Sequence, residues 1–365
     1  MGTDRGNGTC GTPWGHMETD VSFSPGIAVP IGAIERELGR VWEESGAAKT
    51  RASLINLAIY NEKPGSLEAN SAIIGAIAGE HAMRAILIES DPSQPGSRAE
   101  AWISMHCYLR GSKGGSVCSE QIAFQLGGEA ARSLQSVVFS HLDSDLPLVL
   151  WWQADFHPPI DGKLWQWVDR LLFDSRHWKK PSVQFQLITQ ITNLTETKLV
   201  LCDLNWARSL PVRQALAGMF DSPATLPELQ LIRSLHIDHA PGSRSTALLL
   251  IGWIADRLGW VLTDASQNPT FTDPKKGIIR VTLSEKEGAS ITRMLLNSEK
   301  GTFELTHEPG SGLYITNAKS DTFPSMGRVV RAAREETREI LLAELARGGR
   351  HPLYSPAVKA VQALW

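Results

Sequence analysis

Leu146-Pro147-Leu148-Val149-Leu150-Trp151-Trp152-Gln153-Ala154-Asp155 is the stretch whose reading decides the fold. An apolar run behind a proline, closing on a polar exit, predicts a β-strand buried on both faces. Side chains alternate along a strand, so Trp151 and Trp152 must leave opposite faces, each with packing partners on its own side of the sheet. Two later stretches repeat the plan of an apolar strand ending in an acid: Arg170 to Asp174 and Leu199 to Asp203.

Working outward, strands and helices alternate. Ile34, Leu38, Val41 and Trp42 mark one face of a helix over 31–45. Strands are expected at 53–60 and 84–89, with Ser66 capping a helix over 67–80 and a loop at 91–96. Trp102 to Leu109 and Ser116 to Phe124 flank a Gly-rich turn and predict a hairpin that carries Cys107 and Cys118. Those thiols can face each other across it; a thiol switch would need that geometry and a lowered pKa, and two unreactive thiols are the plainer reading. Helices follow at 129–142, 160–169, 182–193 and 211–219, and a further strand at 229–237. This alternation predicts an α/β fold, a mostly parallel sheet with helices on both faces.

Ser245 to Leu258 is apolar nearly all round and predicts a buried helix. Gly252 inside it costs ~1 kcal/mol relative to alanine, which points to close approach by another element. Gly259 suits the left-handed position past the helix end, with Trp260 folding back on the last turn. Short runs over 278–317 separated by Gly-containing turns predict a C-terminal antiparallel β meander, and 325–347 a long helix whose apolar face is Val330, Ala333, Thr337, Leu341 and Leu345. The expected organisation is a disordered tail over 1–24, an N-terminal α/β domain over 25–158, a second α/β part over 159–265, and the meander with C-terminal helices over 266–365.

Composition bounds the function. With 365 residues, 42% hydrophobic and 21% charged, the chain can bury a large core, and a net charge of −3 argues against nucleic acid or an anionic membrane as partner. No apolar run approaches the ~20 residues of a membrane span, and no signal peptide is expected. Four cysteines make no disulfide scaffold, so a cytoplasmic protein with reduced thiols is the default. Tryptophan is abundant: 12 in all, eight of them between Trp151 and Trp260, which suits either core packing or recognition.

Parallel sheets bind ligands beyond the carboxyl ends of their strands, where Asp155, Asp174 and Asp203 would lie beside Gln153, Ser175, Asn205, Trp206, Arg208 and Arg213. The set can hold a polar ligand, with the arginines facing phosphate or carboxylate. Equally, each aspartate can cap the helix or turn that follows it. The Gly-x-Ser-x-Gly elbow and the dinucleotide Gly-x-Gly-x-x-Gly are absent. Ser175 and His177 are too close in sequence to make a triad, and His236 with His239 lacks further metal ligands. No catalytic set is complete, and no metal or cofactor is expected.

Four blocks in order resemble one family. Leu146 to Trp152 is similar to the Pro-Val-x-x-Trp-Trp stretch of the glucose-6-phosphate dehydrogenase assembly proteins, the OpcA family. Asp174-Ser175 resembles its Asp-Ser; Asp203-Leu204-Asn205-Trp206-Ala207-Arg208, with Pro211 and Arg213, resembles its Asp-Leu-x-Trp-x-Arg block; Gly252-Trp253 with Arg257-Leu258-Gly259-Trp260 resembles its Gly-Trp-x-x-x-Arg-Leu-Gly-Trp helix end. Cys118 to Ile122 is a weaker match. Val212 stands where the family usually has Trp, and no cysteine follows Cys202, although cyanobacterial members are associated with thiol control near the C-terminus. The resemblance implies a non-catalytic activator that binds glucose-6-phosphate dehydrogenase, favours its active oligomer and supports NADPH production in the oxidative pentose phosphate pathway. It makes Trp151, Trp152, Gln153, Asp155, Asp174, Ser175, Asp203, Asn205, Trp206, Arg208 and Arg213 candidate partner- or ligand-binding residues, and Gly252, Trp253, Arg257, Gly259 and Trp260 structural ones. The alternative is an enzyme, or a sensor of a phosphorylated sugar or nucleotide, using the strand-end aspartates.

Overall fold

A computed structural model describes residues 25–44, 49–51, 53–110, 115–195, 199–321, 323–332 and 336–365. The expected tail, with Cys10 and His16, and most of the Gly-rich hairpin turn lie outside them. In chain order the first elements are β1 (Ile27–Val29), α1 (Ile34–Glu44), β2 (Lys49–Arg51), β3 (Asn56–Asn61), α2 (Ser66–Ile77), β4 (Arg84–Asp91), β5 (Ser97–Arg110), β6 (Gly115–Gly128) and α3 (Leu134–Ser140). There follow β7 (Leu148–Trp152), α4 (Gly162–Trp165), β8 (Arg170–Phe173), α5 (Pro181–Leu194), β9 (Val200–Asp203), α6 (Leu204–Arg208) and α7 (Leu210–Gly218).

The nine strands form one sheet in the order β1-β5-β6-β4-β3-β7-β8-β9, with β2 beside β6. From β6 to β9 every pairing is parallel; β5 and β1 extend the edge antiparallel. β7 lies near the centre and all five of its residues are buried. Period-two alternation then divides its tryptophans as expected. Trp151 joins Leu67, Ile74 and Ile77 of α2 on one face, and Trp152 joins Phe156, Trp165 and Ile188 on the other.

The second half is β10 (Ile232–His239), α8 (Arg244–Leu258), β11 (Val261–Asp264), β12 (Thr270–Thr272), β13 (Ile278–Glu285), β14 (Ile291–Ser298), β15 (Gly301–Glu308), β16 (Leu313–Ser320), β17 (Phe323–Arg331), α9 (Thr337–Ala346) and α10 (Tyr354–Ala360). Its eight strands form a second sheet, ordered β11-β12-β13-β10-β14-β15-β16-β17. β14 to β17 are the expected antiparallel meander, whereas β10 inserts beside β13 in parallel and leaves the first sheet altogether. One face of this sheet packs on α7 and α8.

Three local expectations are corrected. Ser66 is the first helical residue, not the cap; Gly65, at φ 77°, takes the cap position and the Ser66 hydroxyl turns inward to Glu89. The long helix shortens to Thr337–Ala346, because 323–331 pairs along its length with β16. Helix propensity is a weak force beside a full backbone ladder, and Gly327 with Val329-Val330 suits a strand better. Residues 333–335 of that expected helix lie outside the described ones. Finally, Cys107 and Cys118 are directly opposed in the β5–β6 ladder and form a disulfide in place of reduced thiols.

α8 is buried along most of its length, and α10 crosses it so closely that a Cβ on Gly252 would run into the carbonyl oxygen of Ala357. Gly259 adopts φ 66° and the Trp260 N–H returns to the Ala255 carbonyl at 2.8 Å. Trp253 and Trp365 pack against both the first-sheet and the second-sheet cores, and so join the two halves. Gly252→Ala is therefore expected to destabilise the protein by about 1–3 kcal/mol, the cost of overpacking. Gly39→Ala, on the open face of α1 with nothing near its Cβ, should stabilise by up to about 1 kcal/mol. Chemical denaturation of the pair checks both signs.

Candidate functional site

The expected site residues separate into a buried hub and an open cleft. Asp203 ends β9 and caps α6, accepting the Asn205 N–H at 2.9 Å. It also accepts the Ser175 N–H at 3.1 Å, the Ser175 hydroxyl at 2.6 Å and the Tyr354 hydroxyl at 3.0 Å. Asn205 donates to Ser175 and Ser245 and accepts from Thr246, so both its ends are engaged. Asp174 caps the short 3-10 turn Ser175–His177 and pairs with Arg208, whose Nη2 lies 2.8 Å away. Arg213 lies flat over the Trp206 ring, 3.6 Å from its centroid, and donates to the Trp206 carbonyl at 3.0 Å. Trp206 is 1% exposed and Asn205 0%, so the Asp-Leu-x-Trp-x-Arg block is interior.

The electrostatics match. Burial, and next the charge of Asp174, push the Asp203 carboxyl up from its ordinary value to about 6, although its hydrogen bonds work the other way. Burial, and next Arg347, bring the Arg213 guanidinium down to about 10. Nearby, the Cys202 thiol, the Glu344 carboxylate and the His351 ring lie within 4.8 Å of one another, a spacing that metal ligands also show. Arg170, however, donates to the Cys202 sulfur at 3.3 Å and His351 bonds Glu344 at 2.6 Å. Burial raises the thiol to about 11, so cations of the protein itself already occupy the place a metal would take. Burial also acts upward on Glu344, but His351, Arg347 and Arg170 outweigh it and hold the carboxyl below its ordinary value.

Gln153 and Asp155 lie elsewhere. With Trp151, Trp152 and Asp174 they line a cleft of about 440 Å³ at the carboxyl ends of β3 and β7, along with Asn61, Asn70, Trp178 and Thr337. Gln153 accepts from Asn61 at 2.6 Å and donates to Asn70 at 2.8 Å; Asp155 is exposed. Ser175, Asp203, Asn205, Trp206, Arg208 and Arg213 are not among its lining residues. Of the residues named structural, Trp253 joins the two cores, Trp260 is buried, and Arg257 is exposed and paired with its neighbour Asp256. His236 bonds Asp238 and His239 turns to the Ala240 carbonyl, so the two rings do not converge. Sequence reasoning missed Tyr354, Glu344 and Glu89; nothing local marks them, since their partners lie far along the chain or on another strand.

The fold and site define a two-sheet α/β protein with a self-satisfied polar hub beside an open switch-point cleft. The chain belongs to the OpcA family: residues 75–190 match the glucose-6-phosphate dehydrogenase subunit N-terminal domain and residues 200–358 its C-terminal domain. It is 26% identical over 228 residues to an OxPP cycle protein OpcA of Synechocystis sp., covering 61% of this chain and 47% of that one. It is 28% identical over 173 residues to its namesake in Synechococcus elongatus, covering 46% and 38%. The chain thus spans less than half the length of these relatives. Among solved structures, the aldose-aldose oxidoreductase of Caulobacter crescentus superposes at a TM-score of 0.45 and 12% identity, covering 85% of this chain and 94% of that one. A Clostridium difficile dehydrogenase does so at 0.43 and 8%, covering 85% and 97%. The chemistry in those names belongs to those proteins.

Asp203 generates a pH prediction. Its folded value lies above its ordinary value of 3.8, so its contribution to stability is fully present below about pH 4 and is lost as pH rises through about 6. The loss is on the order of 3 kcal/mol. The unfolding free energy of the natural protein minus that of Asp203→Asn should fall by that order between pH 4 and pH 7. A difference that stays flat in urea titrations across this range would remove the assignment.

Proposed function

We propose that this protein is a non-catalytic partner of glucose-6-phosphate dehydrogenase that favours its active oligomer and so raises NADPH production in the cytoplasm. The observation that carries this reading is the tandem match, over most of the chain, to two domains described as subunits of that dehydrogenase. The buried hub is consistent with it. Asp174, Ser175 and Asp203, which a catalytic reading would need free, are spent on caps and on internal partners. A partner that activates in this way must bind the active oligomer more tightly than the inactive form, and its effect is bounded by that difference.

Trp151, Trp152, Trp206, Arg208 and Arg213 are each buried to 9% exposure or less, so in this reading they shape the contact surface from beneath. Trp167 is different: it is 64% exposed, in the turn after α4, with Phe139 beside it at a centroid distance of 5.3 Å. Exposed tryptophan is a favoured hot-spot residue.

Co-purification with the cognate dehydrogenase, with NADPH formation measured in the presence and absence of this chain, tests the reading. A stable complex and a severalfold rate increase are expected; no complex and no rate change would end it. Trp167→Ala should cut the activation at least tenfold while leaving the melting temperature in place. Trp206→Ala, by contrast, should cost about 3–5 kcal/mol of folding stability.

A further inference from the structure

Between β3 and β7 the first sheet reverses its winding. From β3 the chain crosses through α2 to β4 on one side, whereas β7, β8 and β9 extend the sheet on the other. Ligands of parallel sheets bind in the crevice beyond such a switch point. The 440 Å³ cleft opens there, and its volume falls within the usual range of small-molecule sites.

We infer that this cleft takes an uncharged, hydroxyl-rich ligand of sugar or polyol class, and does not take a phosphate-anchored dinucleotide. Three carboxamides line it. Asn61 and Asn70 each donate one N–H to the Gln153 oxygen, and Gln153 donates one to Asn70. A carboxamide nitrogen carries two N–H groups, so each retains a second donor of the kind that hydroxyl oxygens accept. Trp178 supplies an aromatic wall, its ring stacked on Phe173 at 5.3 Å, with Ile73 and Leu204 also lining the cleft. Amide donors beside an aromatic wall suit a ring with polar edges and apolar faces.

The exclusion of a dinucleotide rests on a different residue. Phosphates bind such folds at the N-terminus of the first crossover helix, here α2. That seat is taken from within. Glu89 of β4, only 6% exposed, accepts the Ser66 hydroxyl at 3.2 Å and the Leu67 N–H at 3.3 Å, and Gln125 donates to its other oxygen at 3.0 Å. A phosphate would meet a carboxylate in place of unshared donors. Thr337, the first residue of α9, lines the same cleft, so an occupant would touch the helix that follows the last strand of the second sheet.

Saturation-transfer NMR on the full chain alone, with D-glucose, sorbitol, inorganic phosphate and NADP+ as probes, tests this. D-glucose or sorbitol should give saturable binding that phosphate does not compete away. Ala69→Trp, which fills the cleft from an exposed position of α2, should weaken it at least tenfold, as should Gln153→Leu. No saturable binding of either polyol, binding unchanged in both variants, or an NADP+ complex that displaces the polyol would each overturn the inference. Because the dehydrogenase is absent, any of these outcomes leaves the assembly reading to its own test.

Discussion

A carboxylate shut away from water must find all its partners inside the protein, and Asp203 meets that demand with groups from three parts of the chain. Ser175 comes from the turn after β8, Asn205 from the first turn of α6, and Tyr354 from the C-terminal helix α10. The ends of β8 and β9 and the returning C-terminus are thereby held at one point. Asn205 extends the network to Ser245 and Thr246 at the start of α8. Losing one partner would leave a buried charge short of a donor, so the elements depend on one another.

The same point explains how two sheets become one body. α8 carries the second sheet's core, and its Gly252 lets α10 approach until backbone meets backbone. α9 lays Ile340 and Leu341 on the opposite face of the first sheet. A run of rings, from Tyr60 against Trp152 through Phe156, Trp178 and Phe185 to Trp365, carries the packing from the switch point to the last residue. The abundance of tryptophan is largely accounted for by this interior role, with Trp167 the exposed member.

Polar groups at the strand ends therefore serve two ends. Those near β8 and β9 are consumed by the fold; those near β3 and β7 face solvent in the cleft. Glu89 shows how finely the two are divided, because it satisfies the N-terminus of α2 from the protein side and leaves only amides and an indole facing outward.

Much of this was legible in the chain. The apolar run ending in Trp151-Trp152 determined a doubly buried strand, since period two allows no other arrangement. Gly252 and Gly259 announced a close crossing and a left-handed helix end, because only glycine accepts either without cost. The aspartates were rightly seen as strand ends, and capping was one of their two stated readings. What sequence could not determine was pairing at a distance. β10 reads as one more strand of an alternating pattern, yet joins the second sheet; 323–331 reads as the start of a helix, yet completes a ladder whose partner is another strand. Tyr354 reaching Asp203, and Glu89 filling a helix end, depend on which surfaces meet once the chain has collapsed. Local propensity and spacing act over a few residues, whereas burial and hydrogen-bond satisfaction are decided by the whole fold, and that is where hub and cleft parted.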